Sequence, residues 1–123
     1  MEIGTFVAAS IAGGVGAVLR WVVDVVITRR TRSSFPLGVW IVNVSGSFVL
    51  GIVVALLAAD PLGAVIGAGL LGGYTTFSTV AVTSVTLTRA GEWRTAAVNV
   101  VGTFSACVLA AAVGVAAGGA LFG

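Results

Sequence analysis

Gly72-Gly73-Tyr74-Thr75-Thr76-Phe77-Ser78-Thr79 lies inside an otherwise apolar segment running from about residue 62 to residue 88. Two adjacent glycines and a cluster of Ser and Thr hydroxyls do not suit the middle of a lipid-facing helix. Glycine weakens a helix, and Ser and Thr side chains offer backbone groups an alternative to the helical ladder. At membrane depth, irregular backbone survives only where protein buries it or where it lines a polar cavity. The stretch therefore predicts a helix break that presents carbonyls, N–H groups and hydroxyls near mid-membrane.

The rest of the chain supports the membrane setting. Its mean hydropathy is +1.19, hydrophobic residues make up 59% and charged residues only 8%. A water-soluble domain carries roughly 25% charged residues, so this chain lacks the means to cover a water-facing surface. Its 123 residues hold four spans of transmembrane length and little else. The spacing predicts an all-α membrane protein forming one domain, with spans at about 3–27, 37–59, 62–88 and 95–122. Glu2 and the absence of a basic leading stretch make the first span a retained one rather than a cleaved signal. One Cys and no His exclude an internal disulfide and make a Cys/His metal site implausible.

Working outward from the break, span one repeats small residues at Ala9, Gly13 and Ala17, and again at Ala12 and Gly16. Such stripes let helices approach closely in lipid. Arg20 lies about two turns inside the end of that span, with Asp24 one turn later. It is read either as a snorkelling arginine paired with Asp24 or as a guanidinium held in a watery mouth to attract anions, and its depth is large for snorkelling. Span two carries Asn43-Val44-Ser45-Gly46, and an amide in a membrane needs partners for both its oxygen and its nitrogen. Asn43 is thus either a helix–helix hydrogen-bonding group or part of a polar path. Asp60-Pro61 forms the turn into span three, and Ala90-Gly91 a helix stop after it. In span four, Thr95, Asn99 and Thr103 recur every four residues and share a face. Lone Cys107 is read as a small core residue.

Catalysis finds no constellation here. The acids are Glu2, Asp24, Asp60 and Glu92, all near span ends, whereas a proton-coupled cation carrier needs a titratable acid deep in a span. What the spans offer is uncharged donors, together with ring edges whose positive quadrupole can face an anion. An anion entering hydrocarbon unpartnered meets a cost of order tens of kcal/mol. A file of such donors lowers that barrier, while carbonyls freed at a break suit a cation.

The residues from Gly72 to Thr79 resemble the Gly-Gly-x-Ser/Thr-Thr-Phe-Ser-Thr signature of the Fluc (CrcB) family of fluoride channels. Gly16-Ala17-Val18-Leu19-Arg20-Trp21 resembles that family's first-span motif and Asn43-Val44-Ser45-Gly46 its second. The resemblance implies an antiparallel dimer with two pores, exporting fluoride passively from the cytoplasm across the cell membrane. It places Arg20 in an aqueous vestibule, Asn43 on the ion path, Phe77 among the pore phenylalanines, and Thr79, Asn99 and Thr103 along a polar track. It assigns the backbone carbonyls of Gly72 and Thr75 to a structural Na⁺ at the dimer interface. The chain departs from the family pattern at Val80, where a second pore phenylalanine is usual, and a valine has no ring edge to offer. The competing expectations are a small four-span exporter of cationic drugs or guanidinium, and a non-conducting partner subunit.

Charge adds an expectation about orientation. Loops 28–36 and 89–94 share one side and carry Arg29, Arg30, Arg32, Arg89 and Arg94, whereas the other side carries no Lys or Arg. Arginine-rich loops stay in the cytoplasm, so both termini are expected outside. The basic balance thus reports membrane orientation rather than a nucleic-acid partner. A chain that paired with its own inverted copy would need balanced loops. The partner expected in the bilayer is therefore an oppositely oriented homologous subunit forming a heterodimer, with a homodimer as the alternative.

Overall fold

A computed structural model of the chain describes residues 1–122. Helices α1 (Ile3–Arg30) and α2 (Leu37–Leu57) form the first two spans. The third is built in pieces: α3 (Pro61–Ala64), a π-helical stretch (Val65–Leu71), α4 (Gly72–Tyr74), and α5 (Ser78–Arg89) beyond an interruption at Thr75–Phe77. Helix α6 (Trp93–Phe122) is the fourth. All four spans are long and apolar enough to cross a membrane, and the chain is a multi-pass membrane protein.

Local chemistry sets the boundaries. Asp60 caps α3 by accepting the Leu62 N–H at Oδ1, 2.8 Å away, with Pro61 at the first helical position where no N–H is needed. At the far end of α5, Gly91 has φ +83°, and the Glu92 and Gly91 N–H groups return to the Leu87 and Thr88 carbonyls. This double closure is the glycine-dependent helix stop expected at Ala90-Gly91. Helix α1 runs three residues past its expected end and takes in Arg29 and Arg30, cations that the helix C-terminus favours.

Two seams hold the bundle. Helix α1 lies against the third span through glycines: a Cβ on Gly16 would collide with the Leu70 carbonyl, and one on Gly73 with the Gly13 carbonyl. The small-residue stripe of α1 is thus a contact surface, with Ala9 meeting Gly69 in the same way. Helix α2 lies equally close to α6, where side chains on Gly51 or Gly114 would strike the opposing backbone. In lipid, where apolar side chains gain nothing by leaving the solvent, such close approach is a main source of helix association.

The break differs in one respect from its sequence expectation. Gly72 and Gly73 remain helical, and Gly73 serves the contact with α1. The chain leaves the helix at Thr75, whose φ and ψ are −81° and 159°. The π-helical turn before it has no distinguishing composition and was not foreseen.

Candidate functional site

The three motif stretches converge on residues 74 to 76. Asn43, on α2, holds the peptide of Thr76 on both sides. Its Oδ1 accepts the Thr76 N–H at 2.8 Å, and its Nδ2 donates to the Thr76 carbonyl at 2.9 Å. Two positions along, the Ser45 hydroxyl meets the Tyr74 hydroxyl at 3.1 Å. Gly46 leaves room for the Thr75 methyl group, which a Cβ there would crowd. Asn43-Val44-Ser45-Gly46 is therefore a receptor for the break. From the other side, Arg20 on α1 donates from Nη1 to the Thr75 carbonyl at 3.3 Å. Asp24 takes no part in this: its Oδ1 accepts from the Thr28 hydroxyl instead.

The same bonds release backbone oxygens. In a continuous helix the Thr76 N–H would reach the Gly72 carbonyl and the Thr79 N–H the Thr75 carbonyl. Here the first goes to Asn43 and the second to the Thr76 hydroxyl oxygen, 3.2 Å away. Thr76, one residue before the N-cap Phe77, thereby satisfies one of the first N–H groups of α5, and its hydroxyl donates to that of Thr79 at 3.1 Å. The carbonyls from Gly72 to Thr76 all lose their helical donors; those of Thr75 and Thr76 accept from Arg20 and Asn43 instead.

Beside the break, a groove of about 670 Å³ opens between α2, the third span and α6. Asn43, Gly72, Thr75, Phe77 and Thr103 line it, together with Val80, Ser84 and Cys107. No acid lines it. Phe77 is 86% exposed and points away from the chain's own packing, whereas Val80, one turn on, is buried. Asn99 is only 1% exposed and sits behind the groove wall. Its Nδ2 donates to Ser84 Oγ at 2.9 Å, and its Oδ1 accepts from the Thr103 hydroxyl at 3.4 Å. Arg20 reaches the site from the α1 side, and Thr79 joins it through Thr76.

Sequence reasoning passed over Ser84 and misjudged Cys107. Ser84 follows Val80 by one turn on the inner face of α5, a spacing that could have found it. Cys107 continues the Asn99–Thr103 stripe by another four residues and lines the groove instead of filling a core. Two of the other hydroxyls of α5 are quenched: Thr86 and Thr88 donate to the carbonyls four residues back.

Fold and site together define a small multi-pass membrane protein whose polar centre is an interrupted third span clamped by its two neighbours. Comparison with known proteins narrows the class. The sequence profile of the family described as CrcB-like protein, Camphor Resistance (CrcB), matches residues 7–115. A protein named fluoride-specific ion channel FluC 1, from Leifsonia xyli subsp. xyli, is 45% identical over 116 residues, covering 91% of this chain and 85% of its own length. The fluoride-specific ion channel FluC of Shewanella sp. (strain ANA-3) is 41% identical over 103 residues, covering 80% of this chain and 83% of its own. The chain belongs to the CrcB family.

Proposed function

We propose that this protein is a subunit of a fluoride-specific channel that lets fluoride leave the cytoplasm passively, and that it resides in the cell membrane. The observation that carries the reading is the groove: amide and hydroxyl donors and an exposed phenylalanine around a cavity without a carboxylate. A cationic-drug or guanidinium exporter would need an acid there to hold its substrate. The related proteins named as fluoride-specific channels support the same reading.

The site also bears on assembly. Phe77 and Ser78 are exposed in the single chain at the level of the break. Polar, irregular backbone at that depth requires protein beside it, which supports an oppositely oriented second subunit covering this face. The five-against-none distribution of loop arginines supports a single orientation with both termini outside. It favours a homologous but different partner chain over a second copy. Val80 fits that assignment, because a partner can supply the phenylalanine this chain lacks, leaving the two pores unequal.

We assign a structural sodium ion to the carbonyls of Gly72 and Thr75, since hard cations take oxygen ligands and both groups are released from helical bonding; at Thr75 the ion would take the place of the Arg20 guanidinium that the carbonyl accepts in the single chain. Two such pairs from opposed subunits make four ligands, and a bound sodium would supply a fixed positive charge tying the two breaks together. Within the chain, Asn43 holds the Thr76 peptide in place, and Arg20 lends positive charge to the site at Thr75.

Growth on fluoride tests the function. Bacteria stripped of their own fluoride exporters should recover growth on fluoride medium when they express this chain with its inverted homologue. Failure of that pair to restore growth, with both proteins present in the membrane, would count against the proposal.

A further inference from the structure

A second cavity, of about 500 Å³, opens at the arginine-bearing end between α5 and α6. Thr88, Arg89 and Trp93 line its mouth, and Ser84, Val85 and Val100 form its inner wall. Those three inner residues also line the groove beside the break. The two cavities therefore meet along one seam, and Ser84 stands where they join.

The hydrogen bonds at that junction have a direction. Asn99 Oδ1 can only accept, so the Thr103 hydroxyl donates to it; Asn99 Nδ2 can only donate, so Ser84 Oγ accepts. Among the described residues' hydrogen bonds, no acceptor takes the Ser84 proton. The chain Thr103 to Asn99 to Ser84 thus ends in an O–H with no protein partner, at the meeting point of two cavities. Each bond in such a chain polarises the next, so the terminal O–H is a stronger donor than an isolated serine. A group that ends in a donor receives anions. Ser84 is 8% exposed, and in that sheltered position a hydrogen bond to an ion counts for more than in water.

We propose that fluoride travels between the arginine-bearing end and the break along the α5–α6 seam, with Ser84 as an anion-binding donor on the way and Arg89 as the charge that gathers fluoride at its mouth. This rests on the reading of the protein as a fluoride channel, and it adds Ser84 and Arg89 to the polar track of Asn99 and Thr103.

The test uses the reconstituted assembly and initial fluoride efflux from liposomes. Ser84→Ala should lower efflux by about tenfold or more, the scale of one charge-assisted hydrogen bond lost along the path. Arg89→Gln should lower it at low ionic strength, with the deficit closing near 1 M salt, where charges are screened within about 3 Å. A second measurement does not depend on the alanine variant folding. With Cys107→Ala as background, Ser84→Cys should react with a small thiol reagent added from the arginine-bearing side, and fluoride should slow that reaction while sulfate does not. Wild-type efflux of fluoride with undiminished efflux in Ser84→Ala overturns the route alone, as does a cysteine whose reaction ignores fluoride. No fluoride efflux from the wild-type assembly overturns the channel reading and the route with it.

Discussion

The contact of α1 with the third span and the contact of α5 with α6 are both helix seams in the same membrane, yet they are built on opposite rules. In the first, Gly16, Gly69 and Gly73 bring backbones so close that a single added carbon would strike a carbonyl of the facing helix. In the second, Ser84, Asn99 and Thr103 spend their polar groups on one another and leave two joined cavities beside them. Small residues close a seam, whereas a polar chain with an outward-facing donor holds one open. The break lies between the two: glycine contacts fix its back, and its front faces the groove.

This contrast can be broken most forcefully at its closed side. Gly73→Leu should prevent folding, because the side chain would have to displace the α1 backbone at Gly13, and overpacking of even modest size costs about 1–3 kcal/mol. The expected outcome is aggregation on size-exclusion chromatography in mild detergent; a monodisperse variant would mean that the seam is looser than described. On the open side, Phe77→Ile should leave the chain folded, since the ring is 86% exposed within it and contributes only to the groove lining. Its fluoride flux should nevertheless fall by about tenfold or more, through loss of the ring edge from the barrier. Undiminished flux would remove Phe77 from the path.

Asn43→Ala tests what joins the two sides. It frees both polar groups of the Thr76 peptide, a change worth about 1–3 kcal/mol where they stay buried. Amide exchange at Thr76 should accelerate while the protection of α6 stays unchanged. Equal exchange in the variant and the parent would show that the clamp is idle. The smallest effect is expected at Gly14, where a Cβ meets nothing. Gly14→Ala should leave thermal stability equal or raised by up to about 1 kcal/mol, from helix propensity alone. A loss there would mean that this face of α1 is packed against something.

Much of the fold was legible because lipid imposes simple rules. Four apolar runs, the Asp60-Pro61 cap and the Ala90-Gly91 stop follow from residue types acting within a few positions of themselves. The site was legible in part. Asn43 announced a need for partners, but which peptide it would grip depends on the crossing of α2 and the third span, and nothing local encodes that. The roles of Gly72 and Gly73 were read as weakness in a helix; in the fold Gly73 is the point of closest approach to Gly13. Ser84 escaped notice among many hydroxyls on α5, since only its position opposite Asn99 distinguishes it from Thr86 and Thr88, which bond back to their own helix.

The central claim is that a groove without carboxylates, lined by uncharged donors, carries fluoride. Its most direct test is a fluoride-electrode recording from liposomes loaded with equal fluoride and chloride and reconstituted with this chain, alone and with the partner proposed above. The account predicts rapid release of fluoride when a potassium ionophore balances the charge, with chloride retained. Retention of both ions, or release of both at similar rates, would contradict it.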